Sequence, residues 1–303
     1  MVSLRYHLVS LAAVLMALAA GVVLGAGPLA NAVSDTIGPT TSPSPQAGST
    51  AQAAALAQLQ AVSGYDDAAI AAVSAKAVKG TLAGTRVVLV VAPGVPADQL
   101  AKTSDLLRAA GSTVSGVVRL TPAWTDPTQA TVLAGITDQL APADTKPGDG
   151  SQASSAASAL AAALLATKTA DIGATSDSAT ALLAGLAQGG FLTQTGSPDR
   201  AAGLAVLLGP ASVKTGAGYA PLAAALAAAG TGAVTAAPRG SAAAGGLVGT
   251  IRADAAERAA VTTVDSVDLA AGRLATVLAL ARDRTGHHGQ YGLGPAANAP
   301  LPG

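Results

Sequence analysis

The sequence predicts an α/β fold, in which an N-terminal single transmembrane helix precedes an extracytoplasmic domain with a mostly parallel sheet. Three observations predict it. Twenty residues from Leu8 to Gly27 carry no charge. Short continuous apolar runs closed by Gly or Pro, such as Arg86 to Ala92 before Pro93-Gly94, have the composition of strands buried on both faces. Stretches with helical spacing alternate with these runs, which is the pattern of β-α-β units. A sheet built that way is Rossmann-like, with helices on both faces.

The opening run, LVSLAAVLMALAAGVVLGAG, would span about 30 Å as a helix, the thickness of a bilayer's hydrocarbon core. Nine of its residues are Leu or Val, which together favour insertion into membrane lipid by roughly 3 to 5 kcal/mol. Basic charge precedes it at Arg5, and the next basic residue is Lys76. This asymmetry places the N-terminus in the cytoplasm and the main domain outside. Two fates stand open for residues 1–32: a retained anchor, or a secretory signal cut after Ala30-Asn31-Ala32. The run is longer than the roughly 7 to 15 apolar residues of a signal, which favours the anchor. Ala13, Ala17, Gly21 and Gly25 recur every four residues and share one face. They read either as a packing face for a homodimer or higher oligomer, or as chance in an Ala-rich chain. Gly25 to Ala30 imitates a dinucleotide-binding turn, but a Pro/Ser/Thr stretch follows it where a helix is required.

Residues 33–50 contain GPTTSPSPQAGST, too polar to bury a core, and are expected to form a disordered linker. Residues 51–82 are expected to form a helical stem of two pieces, Ala51 to Val62 and Asp67 to Val78. Leu56, Leu59 and Val62 recur at three-residue spacing, which suggests a short coiled coil. The α/β domain is expected over 83–285. Strands are placed at Arg86–Ala92, Thr113–Leu120, Gly203–Leu208, Gly232–Ala237, Gly245–Ile251 and Val261–Val264. Helices are placed at Pro96–Ala110, Asp126–Leu140, Ala153–Thr167, Ser178–Gln188, Tyr219–Ala229 and Ala270–Asp283. The Pro/Gly/Ser/Asp-rich stretch at 141–152 marks a candidate internal boundary, and residues 286–303 are expected to be a flexible tail.

Composition narrows the chemistry. Seventeen basic and seventeen acidic residues balance, and without a basic tract no nucleic-acid partner is expected. Cysteine is absent, so thiolate catalysis and disulfides are excluded. Histidine occurs only at 7, 287 and 288, and no Gly-x-Ser-x-Gly elbow is present, which argues against a hydrolase. No enzyme activity, catalytic residue or bound organic cofactor is expected.

Three sets of residues remain as candidates. His287 and His288 are neighbouring imidazoles that can ligate a metal, although two ligands alone make a weak site and a solvated pair is the simpler reading. Asp265 and Asp268 follow the last expected strand, where open α/β sheets bind ligands. Arg273 lies close enough along the next helix to pair with a carboxylate there. The structural alternative is that Asp268 caps that helix and Asp265 ends the strand. Gly216-Ala217-Gly218 offers backbone N–H groups at a helix start, which a turn explains equally well.

Two end blocks carry a resemblance. The stretch MVSLRYHLVSLAAVLMALAAGVVLGAG at the start and TVDSVDLAAGRLATVLALARDRTGHHGQYGLG at 263–294 are similar to the ends of the copper transporter MctB family of actinobacteria. The family closes on the same Thr-Val-Asp, Gly-Arg, Leu-Ala-Leu and Gly-Gln-Tyr-Gly series. The segment AAVSAKAVKGTLAGTRVVLVVAPG also resembles the family's approach to its first strand. The resemblance implies an envelope protein of copper homeostasis or efflux, with copper as the ion concerned. The alternative is a non-catalytic, dimeric envelope or division scaffold that binds another envelope protein. No alternating ten-residue segments of a membrane barrel are present.

Overall fold

The computed structural model describes residues 45–143, 145 and 150–303. Contacts divide the chain into Met1–Tyr65 and Asp66–Gly303. Helix α1, Pro45–Ala77, crosses that division.

The second unit is an α/β sheet in which nearly every expected element is found. In chain order it runs β1 Arg86–Val91, α2 Ala97–Ala109, β2 Thr113–Leu120, α3 Ala130–Leu140, α4 Gln152–Leu164, α5 Asp177–Gln188, β3 Leu192–Gly196 and β4 Leu204–Leu208. It continues with α6 Ala220–Ala229, β5 Gly232–Ala236, α7 Leu247–Ala253, α8 Ala255–Ala260, β6 Thr262–Val264, α9 Ala270–Asp283 and β7 Gln290–Tyr291. The sheet order is β3-β2-β1-β4-β5-β6-β7. Neighbouring strands are parallel except β2 and β3, which run antiparallel.

Parity along the strands explains the two faces. Val87, Leu89 and Val91 of β1 join Leu204, Val206 and Leu208 of β4 in one core, covered by Leu106 and Leu107 of α2 and Val277 and Leu280 of α9. Val88 and Val90 join Ala205 and Leu207 on the other face, under Leu160 and Leu164 of α4, Leu182 of α5 and Leu226 of α6. Both faces of the central strands are dry, which is why the sequence shows runs there and not alternation.

Several expectations are corrected. Among the described residues no helix is long and apolar enough to cross a membrane: the fold described there is an α/β sheet, and the transmembrane helix expected as its first element is not among its helices. The one long helix, α1, has 33 residues but carries Gln52, Gln58, Gln60, Asp66, Asp67 and Lys76, which lipid does not accept. Leu8–Gly27, with Ala13, Ala17, Gly21 and Gly25, lies outside the described residues. The stem is one continuous helix that begins at Pro45, inside the expected linker. Gly64 does not break it, because a mid-helix Gly costs only about 1 kcal/mol. The expected coiled-coil seam is also absent: at about 100° per residue, Leu56, Leu59, Val62 and Tyr65 wind halfway round the helix and form no straight stripe. Gly245–Ile251 is not a strand but leads into α7, where Leu247, Val248 and Ile251 are buried at helical spacing. Tyr291 of the expected flexible tail is buried in the core as part of β7.

Leu160 of α4 is fully buried between α5 and α6, so Leu160→Ala leaves a cavity. It should lower unfolding stability by about 3 kcal/mol, measured as a reduced urea midpoint with unchanged slope.

Candidate functional site

Asp265 follows β6 and is fully buried. Its carboxylate accepts hydrogen bonds from the Ser266 hydroxyl at 2.6 Å, the Leu293 N–H at 2.7 Å and the Gly294 N–H at 3.0 Å. The fourth donor is the Arg252 guanidinium of α7, whose Nη1 stands 2.7 Å from Oδ2. Arg252 is 2 % exposed and also donates to the Thr263 hydroxyl and to the Pro295 and Tyr291 carbonyls. Burial opposes the charged carboxylate of Asp265, yet the bonds from Ser266, Leu293, Arg252 and Gly294 outweigh it and hold the group below its ordinary range. All four acceptor directions of the carboxylate are used. Asp265 is therefore a clasp for the chain end, with no lone pair left to offer a substrate.

Asp268 and Arg273 do not pair with each other as the sequence suggested. Asp268 binds Arg239, with Oδ2 3.0 Å from Nε, while Arg273 donates to the Val267 and Asp268 carbonyls and faces Asp67 of α1 at 3.5 Å. The N-terminus of α9 is capped by Asp67, which accepts from the Ala270 N–H, and not by Asp268. The structure thus brings Asp67, Asp268 and Arg273 together around one helix start. Gly216 and Gly218 lie in a tight turn before α6. Leu247 fills the space beside Gly216, with its backbone N 2.5 Å from where a Gly216 Cβ would stand and its Cδ2 2.5 Å from the corresponding Gly209 position, while Thr125 stands against Gly218. The carboxyl edge after β4 is closed by packed backbone and Leu247, so it holds no open ligand crevice there.

The histidines lie at the opposite edge. Asp283 at the end of α9 accepts from the Ala233 N–H at 2.7 Å and from the Thr262 hydroxyl, at the starts of β5 and β6. The same carboxylate meets His288 Nδ1 at 2.8 Å. Asp283 is 2 % exposed and His288 is 39 % exposed. A buried carboxylate thus fixes one ring nitrogen and leaves Nε2 directed away from it, by the geometry of the ring. His287 is exposed, with Nδ1 3.0 Å from the Thr285 hydroxyl. No group of three His, Cys, Asp or Glu residues suited to a metal is found among the described residues.

Comparison with known proteins decides the family. The model of the family described as "Copper transport outer membrane protein, MctB" matches residues 1–302. This chain belongs to the MctB family. The copper transporter MctB of Mycobacterium tuberculosis is 35 % identical over 320 residues, covering 98 % of this chain and 98 % of that protein. Its namesake from Mycobacterium leprae is 32 % identical over 322 residues, covering 99 % of this chain and 98 % of the relative. The family name describes transport and the cell envelope, and names no enzyme.

The residues that carried the MctB resemblance serve the fold in visible ways. Thr263-Val264-Asp265 supplies β6 and the clasp. Gly272 permits α9 to approach the Ser266 carbonyl, where any Cβ would collide. Gly292, at φ 125°, lies against the Asp265 carboxylate with no room for a side chain. Gln290 bridges the Arg258 and Val261 carbonyls, each at 2.9 Å. Arg252 was missed in the sequence because its carboxylate partner lies 13 residues away; Asp283 stands only five residues from His288, but its burial comes from Ala233 and Thr262, 50 and 21 residues away, which no local spacing marks.

Breaking the clasp with Asp265→Asn strands the Arg252 charge and should cost about 3 to 5 kcal/mol in chemical unfolding. Because the folded carboxyl sits below its ordinary value, its contribution is complete at neutral pH and is lost as pH falls below about 5 through the folded value. The wild type should therefore lose stability across that acid window, and the Asn variant should lose less.

Proposed function

We propose that this chain acts in copper homeostasis in the cell envelope and takes a copper ion as cargo at His288, with His287 beside it. The whole-length match to relatives named copper transporters supports the ion. One observation carries the site: the 2.8 Å contact of His288 Nδ1 with the buried Asp283 carboxylate. A carboxylate on one ring nitrogen fixes the tautomer and makes the other nitrogen a better metal ligand. Imidazole suits copper, and copper(II) binds nitrogen donors more tightly than the other divalent first-row ions. With two imidazoles, and no group of three His, Cys, Asp or Glu ligands among the described residues, the coordination is completed by water. Such a site holds its ion weakly enough to pass it on, which suits handling better than storage.

A second reading is the non-catalytic dimeric scaffold. Its support is that Leu56, Leu59, Val62 and Tyr65 are apolar side chains exposed on α1, spread over half the helix surface and so suited to a partner that wraps it more than to a coiled-coil seam. A stable protein captured from native membranes, together with no copper binding by the purified chain, selects the scaffold.

Calorimetric copper(II) titration of the purified chain should give one site that is lost in His288→Ala and weakened about 10- to 100-fold in Asp283→Asn. The nitrogen hyperfine pattern in the copper spectrum should simplify in His287→Ala. Undiminished binding by a protein lacking both His287 and His288 rejects the site, and unchanged copper tolerance in cells without the protein rejects the role.

A further inference from the structure

Away from both sheet edges already described, a cleft of about 820 Å³ opens between α4, α6 and the loop that carries Thr167 to Ser176. That volume lies within the range of small-molecule sites, about 300 to 1,000 Å³. Alanine is the commonest residue of its walls, from Ala162 and Ala166 on one side to Ala225 and Ala228 on the other, and no aromatic ring lines it among the described residues. Among the described residues three carboxyl groups face it, Asp171, Asp199 and Glu257, against one ammonium, that of Lys168. None of these four side chains enters an ion pair among the described residues.

Glu257 is the informative member. It stands three residues after Asp254, the N-cap of α8, whose side chain accepts from the Glu257 N–H at 2.9 Å. In a capping box a Glu at this position turns back to bond the N-cap N–H. Here that N–H already donates to the Thr250 carbonyl, and the Glu257 side chain lies in the cleft wall. Its Oε2 is buried and has no hydrogen-bond partner. A buried carboxyl oxygen without a donor is costly and rare, and it signals a group that the rest of the chain does not supply. Burial, with the Asp254 charge adding to it, raises the Glu257 carboxyl above its ordinary range.

We propose that this cleft binds a small aliphatic molecule through a protonated primary amine, with the ammonium donating to Glu257 and the carbon chain resting on the alanine walls. The excess of carboxyl groups selects a cation. A metal ion is disfavoured because no three of these ligands converge among the described residues and the space is far larger than an ion. A quaternary ammonium is disfavoured because such groups are held by aromatic faces, and this cleft has none. The inference is independent of the copper reading, since the cleft shares no residue with Asp283, His287 or His288.

Hexylamine is a suitable probe, with hexan-1-ol as its uncharged counterpart, titrated by calorimetry into the purified full chain. Hexylamine should bind at one site at least tenfold more tightly than hexanol, and Glu257→Gln should weaken it about tenfold. Ala225→Leu, which fills the cleft and leaves Glu257 in place, should remove binding while copper titration stays unchanged. Absence of hexylamine binding to the wild type, or equal binding by Ala225→Leu, overturns the proposal. Equal binding by a Glu257→Gln protein with unchanged circular dichroism also overturns it, and if that variant does not fold the Ala225→Leu result decides.

Discussion

The buried contact between Arg252 and Asp265 is the constraint on which one edge of the sheet depends. Two charges removed from water are stabilising only when every remaining donor and acceptor is satisfied. Here the pair recruits its donors and acceptors from β6, from β7 and from the backbone of residues 291 to 295. The chain end is thereby drawn across the carboxyl edge, and β7 is held in register with β6 through Thr263 and Val264. The ion pair contributes specificity of placement more than net stability. An apolar pair of equal volume would fill the space without telling the tail where to lie.

A second buried carboxylate does comparable work at the other end of α9. Asp283 ties the last turn of that helix to the first residues of β5 and β6, as Asp67 caps its first turn. The helix is thus fixed at its start by a carboxylate from α1 and at its end by the carboxylate of its own last residue. This is why His288 is well placed although it lies in a Gly-rich stretch: its ring rests on a group that the strands themselves immobilise. An imidazole in a free tail would spend rotamer entropy on each binding event. One oriented by Asp283 has lost much of that freedom already.

Much of the sheet was legible because burial on both faces writes itself as runs: RVVLVV and LAVLL are strands in sequence and in structure. The edge strand β3 was not legible, since LTQTG buries only Leu192 and its pairing comes from β2. Leu247 to Ile251 misled for a related reason, as a short apolar stretch has no period long enough to separate helix from strand. The charged residues divided along the same line. Asp265 could be singled out by its position after a strand, but its partner Arg252 could not. A carboxylate at a strand end looks the same in sequence whether it awaits a ligand or is already saturated by four donors. The histidine pair was visible as a pair, while the carboxylate that orients one of them comes from the end of the preceding helix.

Alanine abundance shapes the rest. Alanine loses no side-chain entropy on folding and lets layers approach closely, but it offers little area and cannot reach across a gap. Where Leu160, Leu164, Leu182 and Leu226 project between α4, α5 and α6, the layers are filled. Where the same helices present small side chains, as at Ala162, Ala224 and Ala225, the space stays open as a cleft. A chain with only 2 % aromatic residues has few side chains able to close such a space. The cleft therefore follows from composition, but the unpartnered oxygen of Glu257 beside it does not. Packing alone would favour Leu or Gln at that position, since either spares the cost of a buried carboxyl. The charge of Glu257 suits the first turn of α8, yet no donor among the described residues meets its buried oxygen.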